Sequence, residues 1–126
     1  MSLSLGEISK SLPSTIDLSG ASKDNIRSAL TTLDAANITE IIFDGCAELD
    51  LELLSEIEHS FPNLSCLSLQ NCSQIDSAGL SQMLGFGFGS LSKVNLSGCC
   101  QFSPLNLAMI VVHRNGNGLP PLRLIS

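Results

Sequence analysis

Residues 64–80 read LSCLSLQNCSQIDSAGL. Leu64, Leu67 and Leu69 are spaced by three and then two positions, which predicts a short strand with one apolar face. The apolar residues that follow Cys72 have the wider spacing of a helix. The stretch therefore predicts one strand followed by one helix, and the rest of the 126-residue chain can be compared with it.

The head of this stretch recurs along the chain. The recurring segments are PSTIDLSGA (13–21), ITEIIFDGC (38–46), LSCLSLQNC (64–72), LSKVNLSGC (91–99) and LPPLRL (119–124). Their starts are separated by 25, 26, 27 and 28 residues. A repeat of about 20–29 residues that begins with LxxLxL is typical of a leucine-rich repeat. Because one such unit cannot bury its apolar face alone, the units are expected to stack, with their strands in one parallel sheet.

The second half of each unit carries apolar residues spaced by three to five positions, which predicts one buried helix stripe per unit. The stripes are Ile26, Ala29 and Leu30; Leu49, Leu53 and Ile57; Ile75, Leu80 and Leu84; and Phe102, Leu107 and Ile110. Residues suited to cap a helix N-terminus precede three of the helices: Asp50, then Asp76 or Ser77, and then Ser103-Pro104.

Residues 85–89, GFGFG, are predicted to form a turn from a helix into a strand. They are not a phosphate loop, because such loops follow a strand and carry Lys-Ser or Lys-Thr. Phe88 stands three positions ahead of a strand, as Phe61 does, and both are predicted to fill the core. Phe86 is out of this register and is expected at the surface.

Residues 72–80, CSQIDSAGL, narrow the match to one type of leucine-rich repeat. They resemble the cysteine-containing leucine-rich repeat of F-box leucine-rich-repeat proteins, whose pattern is roughly LxxLxLxxCxxITDxGLxxL. The third unit fits this pattern nearly throughout. The second and fourth units keep Cys46 and Cys99, whereas the first has Ala21 in the cysteine position.

This resemblance implies an α/β leucine-rich-repeat solenoid with a parallel sheet on the concave face and helices on the convex face. It implies about four repeats and a partial fifth over residues 12–125, in a single domain over residues 1–126. Residues 1–11 are expected to form an N-terminal helical segment or cap. No F-box-like segment precedes the repeats, so a ubiquitin-ligase adaptor role would require residues outside this sequence. Because solenoids need a cap at each end, the last strand is expected to be covered by more of a longer protein or by another chain.

Composition excludes several classes of protein. With 44% hydrophobic and 14% charged residues, the chain can bury a core and is not of the disordered type. No apolar run approaches the roughly 20 residues of a membrane span, and no basic segment precedes an apolar one as in a signal peptide. The five cysteines fit neither a disulfide framework nor a CxxC metal motif. They predict reduced thiols, a cytoplasmic (intracellular) location and no cofactor or metal.

Charge is distributed unevenly along the chain. Residues 1–76 hold all twelve acidic residues and three basic ones, a formal charge of −9, whereas residues 77–126 hold three basic residues, a charge of +3. Seven acids and no base lie from Glu40 to Glu58. The acidic surface argues against nucleic acid as a partner, because nucleic-acid binding depends on neutralising phosphates.

The cysteines and histidines each allow two interpretations. Cys46, Cys72 and Cys99 occupy one repeat position, so that stacking makes a column of thiols, which is either a metal or redox site or, as the family pattern favours, a buried structural ladder. Cys66 and Cys100 are expected to be accessible, with no basic neighbour to activate Cys66. The two histidines near helix C-termini, at positions 59 and 113, fit the helix dipole better than catalysis. No nucleophile motif and no carboxylate pair with histidine is present, so no catalytic residue is predicted and the chain is not expected to be an enzyme.

The side of the sheet away from the helices is the usual binding surface of such solenoids. Strand alternation predicts its central row as Asp17, Ile42, Ser68, Asn95 and Arg123. Flanking this row are Thr15, Ser19, Glu40, Asp44, Cys66, Gln70, Lys93 and Ser97. The predicted protein-binding residues are Asp17, Glu40, Ile42, Asp44, Cys66, Ser68, Gln70, Lys93, Asn95 and Arg123. The alternative is a solvated sheet whose true interface lies elsewhere.

Two functions follow from these patterns. The first is a non-enzymatic protein–protein interaction module, part of an intracellular adaptor such as a ubiquitin-ligase substrate receptor or a bacterial effector, with a basic ligand segment near Asp17, Glu40 and Asp44. The alternative is a structural, self-assembling repeat segment that forms a homo-oligomer head to tail or through its strand edge. An enzyme is the third class, and it would require an unusually reactive Cys66.

Overall fold

The computed structural model describes residues 14–32 and 35–125, in which five short strands alternate with four helices. The strands are β1 (Thr15–Asp17), β2 (Glu40–Ile42), β3 (Cys66–Ser68), β4 (Lys93–Asn95) and β5 (Arg123–Ile125). The helices are α1 (Lys23–Thr32), α2 (Leu51–Ser60), α3 (Ser77–Phe86) and α4 (Pro104–Gly116). The helical segment or cap predicted for residues 1–11 lies outside the described residues. Among the described helices, none combines the length and the apolar character needed to cross a membrane.

All five strands form one parallel sheet in the order β1-β2-β3-β4-β5. The middle residues of the strands pair in register: Ile16, Ile41, Leu67, Val94 and Leu124. Of these, Ile41, Leu67 and Val94 are buried against the helices. The predicted α/β architecture, in which strands of one parallel sheet alternate with helices, is confirmed at this level.

The register predicted for the fifth strand is wrong by two residues. Leu124, and not Leu122, pairs with Val94, so Arg123 aligns with Lys93 and not with Asn95. Two physical causes are visible. α4 has thirteen residues where the other helices have ten. The two prolines of LPPLRL have no amide hydrogen to donate, and the first strand amide is that of Arg123, 2.8 Å from the Ser92 carbonyl.

Each of the first four strands is followed by a residue in the left-handed region at the same position of the unit. These residues are Gly20, Gly45, Asn71 and Gly98, with φ of 70°, 72°, 60° and 69°. Glycine and asparagine are the residues that adopt this conformation at least cost. The amide at this position donates to the next unit, as in Gly45 N to Gln70 O (2.7 Å) and Asn71 N to Ser97 O (3.0 Å). The turn therefore joins one unit to the next.

A ladder of hydroxyl groups also connects the units just before the strands. Thr39 Oγ1 donates to Ser14 O (3.4 Å), Ser65 Oγ to Thr39 O (3.1 Å) and Ser92 Oγ to Ser65 O (3.1 Å). The fifth unit has Leu122 at this position, and the ladder ends there. The same carbonyls also accept backbone amides of the next unit, as Thr39 O does from the Ser65 amide (2.8 Å), so each hydroxyl adds a further bond between units.

The core lies between the sheet and the helices and is almost entirely aliphatic. The helix stripes predicted for the second and third units are buried, as are Phe61 and Phe88. In the first unit Ile26 is buried, whereas Ala29 and Leu30 are half-buried. Phe86 is 57% exposed, as expected, and its ring lies 4.5 Å from that of His113.

The stripe predicted for the fourth unit is partly wrong. Leu107 is 41% exposed and Phe102 is half-buried, while Ile110 is buried as predicted. The reason is that α4 turns Ile110 and Arg114, four residues apart, toward the core. Leu107 faces the end of the stack beyond β5, where the described chain has no further unit.

Arg114 is a buried charge that the sequence analysis did not anticipate. The residue is 2% exposed, and its guanidinium donates to five backbone carbonyls. The acceptors are Leu84 (2.7 Å), Gly87 (3.0 Å), Phe88 (3.3 Å), Leu91 (3.2 Å) and Pro120 (2.8 Å). Burial lowers the pKa of this guanidinium, but an arginine remains protonated at neutral pH. The cation therefore binds the C-terminal end of α3, where carbonyls lack helix partners and the dipole is negative.

The turn after α3 is also fixed from the other side. Glu58 Oε2 of α2 accepts a hydrogen bond from the Phe88 amide (2.7 Å), and Phe88 has a φ of 55°, which is uncommon for a bulky residue. A side chain at Gly87 would collide with the Glu58 carboxylate. The glycine at position 87 thus follows from the close approach of a carboxylate, whereas a side chain at Gly85 would meet His113.

The N-caps predicted for three helices are confirmed. Asp50 accepts from the Leu53 amide (2.9 Å), Asp76 from the Gly79 amide (2.7 Å), and Ser103 forms a capping box with Asn106. Asp50 also forms an ion pair with Lys23 of the preceding unit (2.8 Å). The Lys23 hydrogen bond, together with the Leu53 amide, lowers the pKa of the Asp50 carboxyl below its ordinary value of 3.8.

Replacing Asp50 separates its two roles. We expect Asp50→Ala to lower the free energy of unfolding by about 1–2 kcal/mol at pH 7, the usual cost of a lost cap. Asp50→Asn keeps a cap acceptor, so its loss at pH 7 should be under about 0.5 kcal/mol, typical of an exposed ion pair. Because the carboxyl pKa is lowered in the folded state, its contribution is present above the ordinary value of 3.8 and is lost as pH falls through the lower, folded value. Urea unfolding between pH 7 and pH 3 should show a smaller decline for Asp50→Asn than for the wild type; equal declines would contradict this assignment.

Candidate functional site

The exposed face of the sheet carries two rows of side chains. One row is Thr15, Glu40, Cys66, Lys93 and Arg123, and the other is Asp17, Ile42, Ser68, Asn95 and Ile125. The predicted central row is therefore correct for its first four members. Arg123 belongs instead to the row of Glu40 and Lys93, because of the shifted register of β5.

A shallow groove of about 200 Å³ lies across β2, β3 and β4 on this face. It is lined by Glu40, Ile42, Asp44, Cys66, Leu67, Ser68, Gln70, Lys93 and Asn95. Eight of the ten predicted binding residues therefore lie around one concavity. The other two, Asp17 and Arg123, lie on the outer strands and do not line it. Leu67 was not predicted, since its side chain belongs to the core.

Asp44 is held in the groove by two hydrogen bonds. Its Oδ1 accepts from the Ser68 hydroxyl (2.6 Å) and from the Gln70 amide (3.1 Å). These bonds join the end of β2 to the end of β3 and hold the half-buried carboxylate in one orientation. Neither bond uses Oδ2, so the second oxygen can receive a donor from a ligand without breaking either of them.

The other two acids of this face are less enclosed. Glu40 Oε1 accepts from the Thr15 hydroxyl (3.2 Å). Asp17 Oδ1 accepts from the Ser19 hydroxyl and amide, and these two bonds lower the pKa of the Asp17 carboxyl. Asn95 repeats this short turn in the fourth unit by accepting from the Ser97 amide (3.1 Å). All three side chains present oxygen acceptors on this face.

Most acids of the run from Glu40 to Glu58 contact a neighbouring unit. Asp50 pairs with Lys23 and Glu58 with the Phe88 amide, and further such bonds join Glu48 to the Lys23 amide (3.3 Å) and Glu56 to Arg27 (3.3 Å). Together with Glu40 and Asp44, six of the seven acids accept a hydrogen bond from another unit. The acids of this run are therefore largely engaged in joining the units. On the sheet face, only Glu40 and Asp44 of this run line the groove.

Cys66 lies in the groove between two charged residues. The register places Glu40 beside it on β2 and Lys93 beside it on β4. The expectation that Cys66 has no basic neighbour is therefore wrong, because Lys93 is distant in sequence and adjacent only through strand pairing. The thiol is half-buried, and the Ser65 hydroxyl lies 3.9 Å from its sulfur.

The cysteine column has the geometry of a structural ladder. Cys46 Sγ donates to Leu18 O and Cys72 Sγ to Phe43 O, each at 3.1 Å and each to the preceding unit. Burial raises the pKa of the Cys72 thiol to about 11 and that of the half-buried Cys99 to about 12. These thiols are therefore neutral at physiological pH and weak as nucleophiles or metal ligands. Among residues 14–32 and 35–125, no group of three or more His, Cys, Asp or Glu is arranged to hold a metal ion.

The histidines lie apart, on different helices. His59 Nδ1 bonds to Ser55 O (2.8 Å) within α2, and His113 of α4 packs against Phe86. Both lie in the last turn of their helices, as the sequence predicted. Neither lines the groove on the sheet face.

No protein-family model, curated protein or solved structure matches this chain. The leucine-rich-repeat resemblance therefore depends on the sequence pattern and on the recurring strand–helix units alone.

Proposed function

We propose that this chain is a leucine-rich-repeat solenoid that binds a protein ligand on the exposed face of its sheet. Equivalent positions of successive units make equivalent bonds, which supports the solenoid: the left-handed turn residue, the hydroxyl ladder and the cysteine thiols all recur at the repeat interval. The observation that carries the binding proposal is that eight residues, from three strands far apart in sequence and the turns that follow them, surround one groove.

The charges of the groove indicate the type of ligand. Glu40 and Asp44 lie at its β2 side, Lys93 at its β4 side, and the half-buried Ile42 and Ser68 between them. Glu40 and Lys93 are two strands apart, a separation of about 10 Å at the usual strand spacing. An extended peptide covers this distance in about three residues. The ligand is therefore an extended segment with a basic side chain at Glu40 and Asp44 and an acidic one about three positions away at Lys93.

The proposed role is recognition without catalysis, as one segment of an intracellular adaptor of the ubiquitin-ligase substrate-receptor kind. The groove is wide and shallow, and its polar groups are held by bonds within the sheet rather than arranged around a nucleophile. Such a surface suits complementary hydrogen bonding and charge pairing with a peptide, which set specificity and association rate.

Charge reversal in the groove provides the test. A library of extended peptides that vary in charge spacing is screened for binding to the wild type, and the tightest peptide is then titrated against Glu40→Lys/Asp44→Lys by fluorescence anisotropy. We expect the selected peptides to carry a basic residue about three positions from an acidic one. The variant should bind at least about tenfold more weakly, since each reversed charge replaces an attraction with a repulsion.

The matched control is Asp24→Lys/Glu52→Lys, which makes the same change in net charge on exposed residues of α1 and α2. Its affinity should stay within about twofold of the wild type at moderate salt, since distant exposed charges are screened. Equal losses in both double variants would show a general charge effect and overturn the assignment to the groove. Circular dichroism melting of each variant confirms that the fold is kept.

A further inference from the structure

An apolar groove of about 450 Å³ lies at the β5 end of the sheet and is separate from the sheet-face groove. Five apolar residues that line it define what is called here the end groove: Leu107, Val111, Leu119, Leu122 and Leu124. Val111 is 66% exposed, and Leu124 is half-buried where its register equivalents Leu67 and Val94 are buried. The end groove is thus the side of the fifth unit that, in every earlier unit, is covered by the next one.

The adjacent strand edge is open in the described chain. β5 pairs with β4 on one side, and no described strand pairs with its other side. The same holds for β1 at the opposite end of the sheet. An open edge with a row of backbone donors and acceptors is a template for another strand.

β1 is the strand of this chain that fits the β5 edge. If β1 of a second copy took the next position in the sheet, the register would place Ile16 beside Leu124 and Thr15 beside Arg123. The row of apolar middle residues would then continue across the joint, with Ile16 of one copy next to Leu124 of the other. Ile16 and Leu18 are half-buried at the β1 end, so both ends offer apolar surface to this contact.

Two copies could join with a β5 end against a β1 end, or symmetrically with two β5 ends in contact. The distribution of charge favours the first arrangement. The β1 end belongs to the half that carries −9, and the β5 end to the half that carries +3. Across the joint, Arg123 would lie one strand from Asp17 and two strands from Glu40 of the other copy, within about 10 Å. A symmetric joint of two β5 ends would instead oppose two basic halves. We propose that the end groove and the β5 edge bind the β1 strand of a second copy, so that the chain associates head to tail.

Two neighbouring valines provide a matched test. Val111 lines the end groove and Val112 does not, yet they are 66% and 65% exposed on the same helix. Glutamate at either position should be tolerated by the monomer fold, which circular dichroism verifies. Sedimentation velocity of the wild type, from micromolar to near-millimolar concentration, should show mass that increases with concentration and decreases with added salt. Val111→Glu should weaken this association at least about tenfold, because a charge enters an apolar contact, while Val112→Glu should leave it unchanged.

The β1 side is tested by Thr15→Arg, which would place two arginines side by side across the joint. We expect this variant to associate more weakly than the wild type, and a mixture of Thr15→Arg with Val111→Glu to form a one-to-one dimer, since the two proteins retain one intact end each. A wild type that stays monomeric throughout overturns the proposal. A dimer that Thr15→Arg leaves intact also overturns it in favour of a symmetric joint, and equal effects of the two valine variants overturn the role of the end groove.

Discussion

Replacement of Arg114 by methionine is expected to lower the free energy of unfolding by about 3–5 kcal/mol. Methionine fills much of the same space but donates no hydrogen bond. The carbonyls of Leu84, Gly87, Leu91 and Pro120 then lose the arginine donor, and that of Phe88 keeps only the Leu91 amide, at a residue that is 2% exposed. Buried acceptors without a donor cost about 1–3 kcal/mol each, and relaxation of the turn recovers part of the sum. Urea unfolding monitored by circular dichroism gives the midpoint and slope from which this loss is calculated.

Two further arginine variants sharpen this prediction. Arg114→Lys retains the charge but has only three donors on one atom and cannot reach five carbonyls spread around a planar fork, so its loss should be intermediate. Arg123→Met makes the same substitution at an exposed strand position and should change stability by less than about 0.5 kcal/mol. If Arg114→Met and Arg123→Met were equally stable, the guanidinium would not hold the α3 end.

Phe43→Ala is expected to cost about 3–5 kcal/mol. Phe43 follows β2, is fully buried, and its carbonyl accepts from the Cys72 thiol of the next unit. Truncation therefore leaves a cavity in the middle of the stack, where both neighbouring units are held by packing and cannot easily close it. Chemical unfolding monitored by circular dichroism gives the loss.

Phe86→Ala is the matched control, because it removes the same side chain at a position that is 57% exposed. Its loss should be under about 1 kcal/mol, limited to the contact with His113. A small effect at Phe43, comparable with that at Phe86, would mean that the layer between sheet and helices is not packed as described.

The repeat interval and the apolar spacing were sufficient to predict the α/β order, the parallel sheet, the caps at Asp50, Asp76 and Ser103, and the buried Phe61 and Phe88. The caps and the order of strands and helices are local, since each depends on residues within one unit, whereas the parallel sheet follows from the regular interval between units. The register of β5 could not be predicted from LPPLRL alone. It depends on the length of α4 and on which amide first reaches Ser92, both of which involve residues outside the segment.

The misses at the candidate site have the same origin. The position of Lys93 beside Cys66 follows from pairing across 27 residues, and the engagement of Glu56 and Glu58 follows from contacts with Arg27 and the Phe88 amide in other units. The sequence holds one signal for the inward position of Arg114, which is its spacing of four from Ile110 on an apolar helix. Spacing predicts which residues share a face. Neither spacing nor net charge predicts which of those residues already have a hydrogen-bond partner in another unit.

The bonds between units also bear on how such a chain can change its length. The left-handed turn, the hydroxyl ladder and the thiol each repeat the same bond to the adjoining unit, and the backbone of each described strand or helix lies close to that of the next strand or the next helix. A duplicate of the second unit, inserted before the third, could form all three of these bonds with both of its neighbours. Removing the duplicate would bring back the original bonds between the second and third units. The joint between α3 and α4 is different, because Arg114 matches one particular turn with its own glycines and phenylalanine. Duplication of a unit between β2 and β3 thus preserves these bonds, whereas insertion between α3 and α4 would separate Arg114 from the carbonyls that it binds.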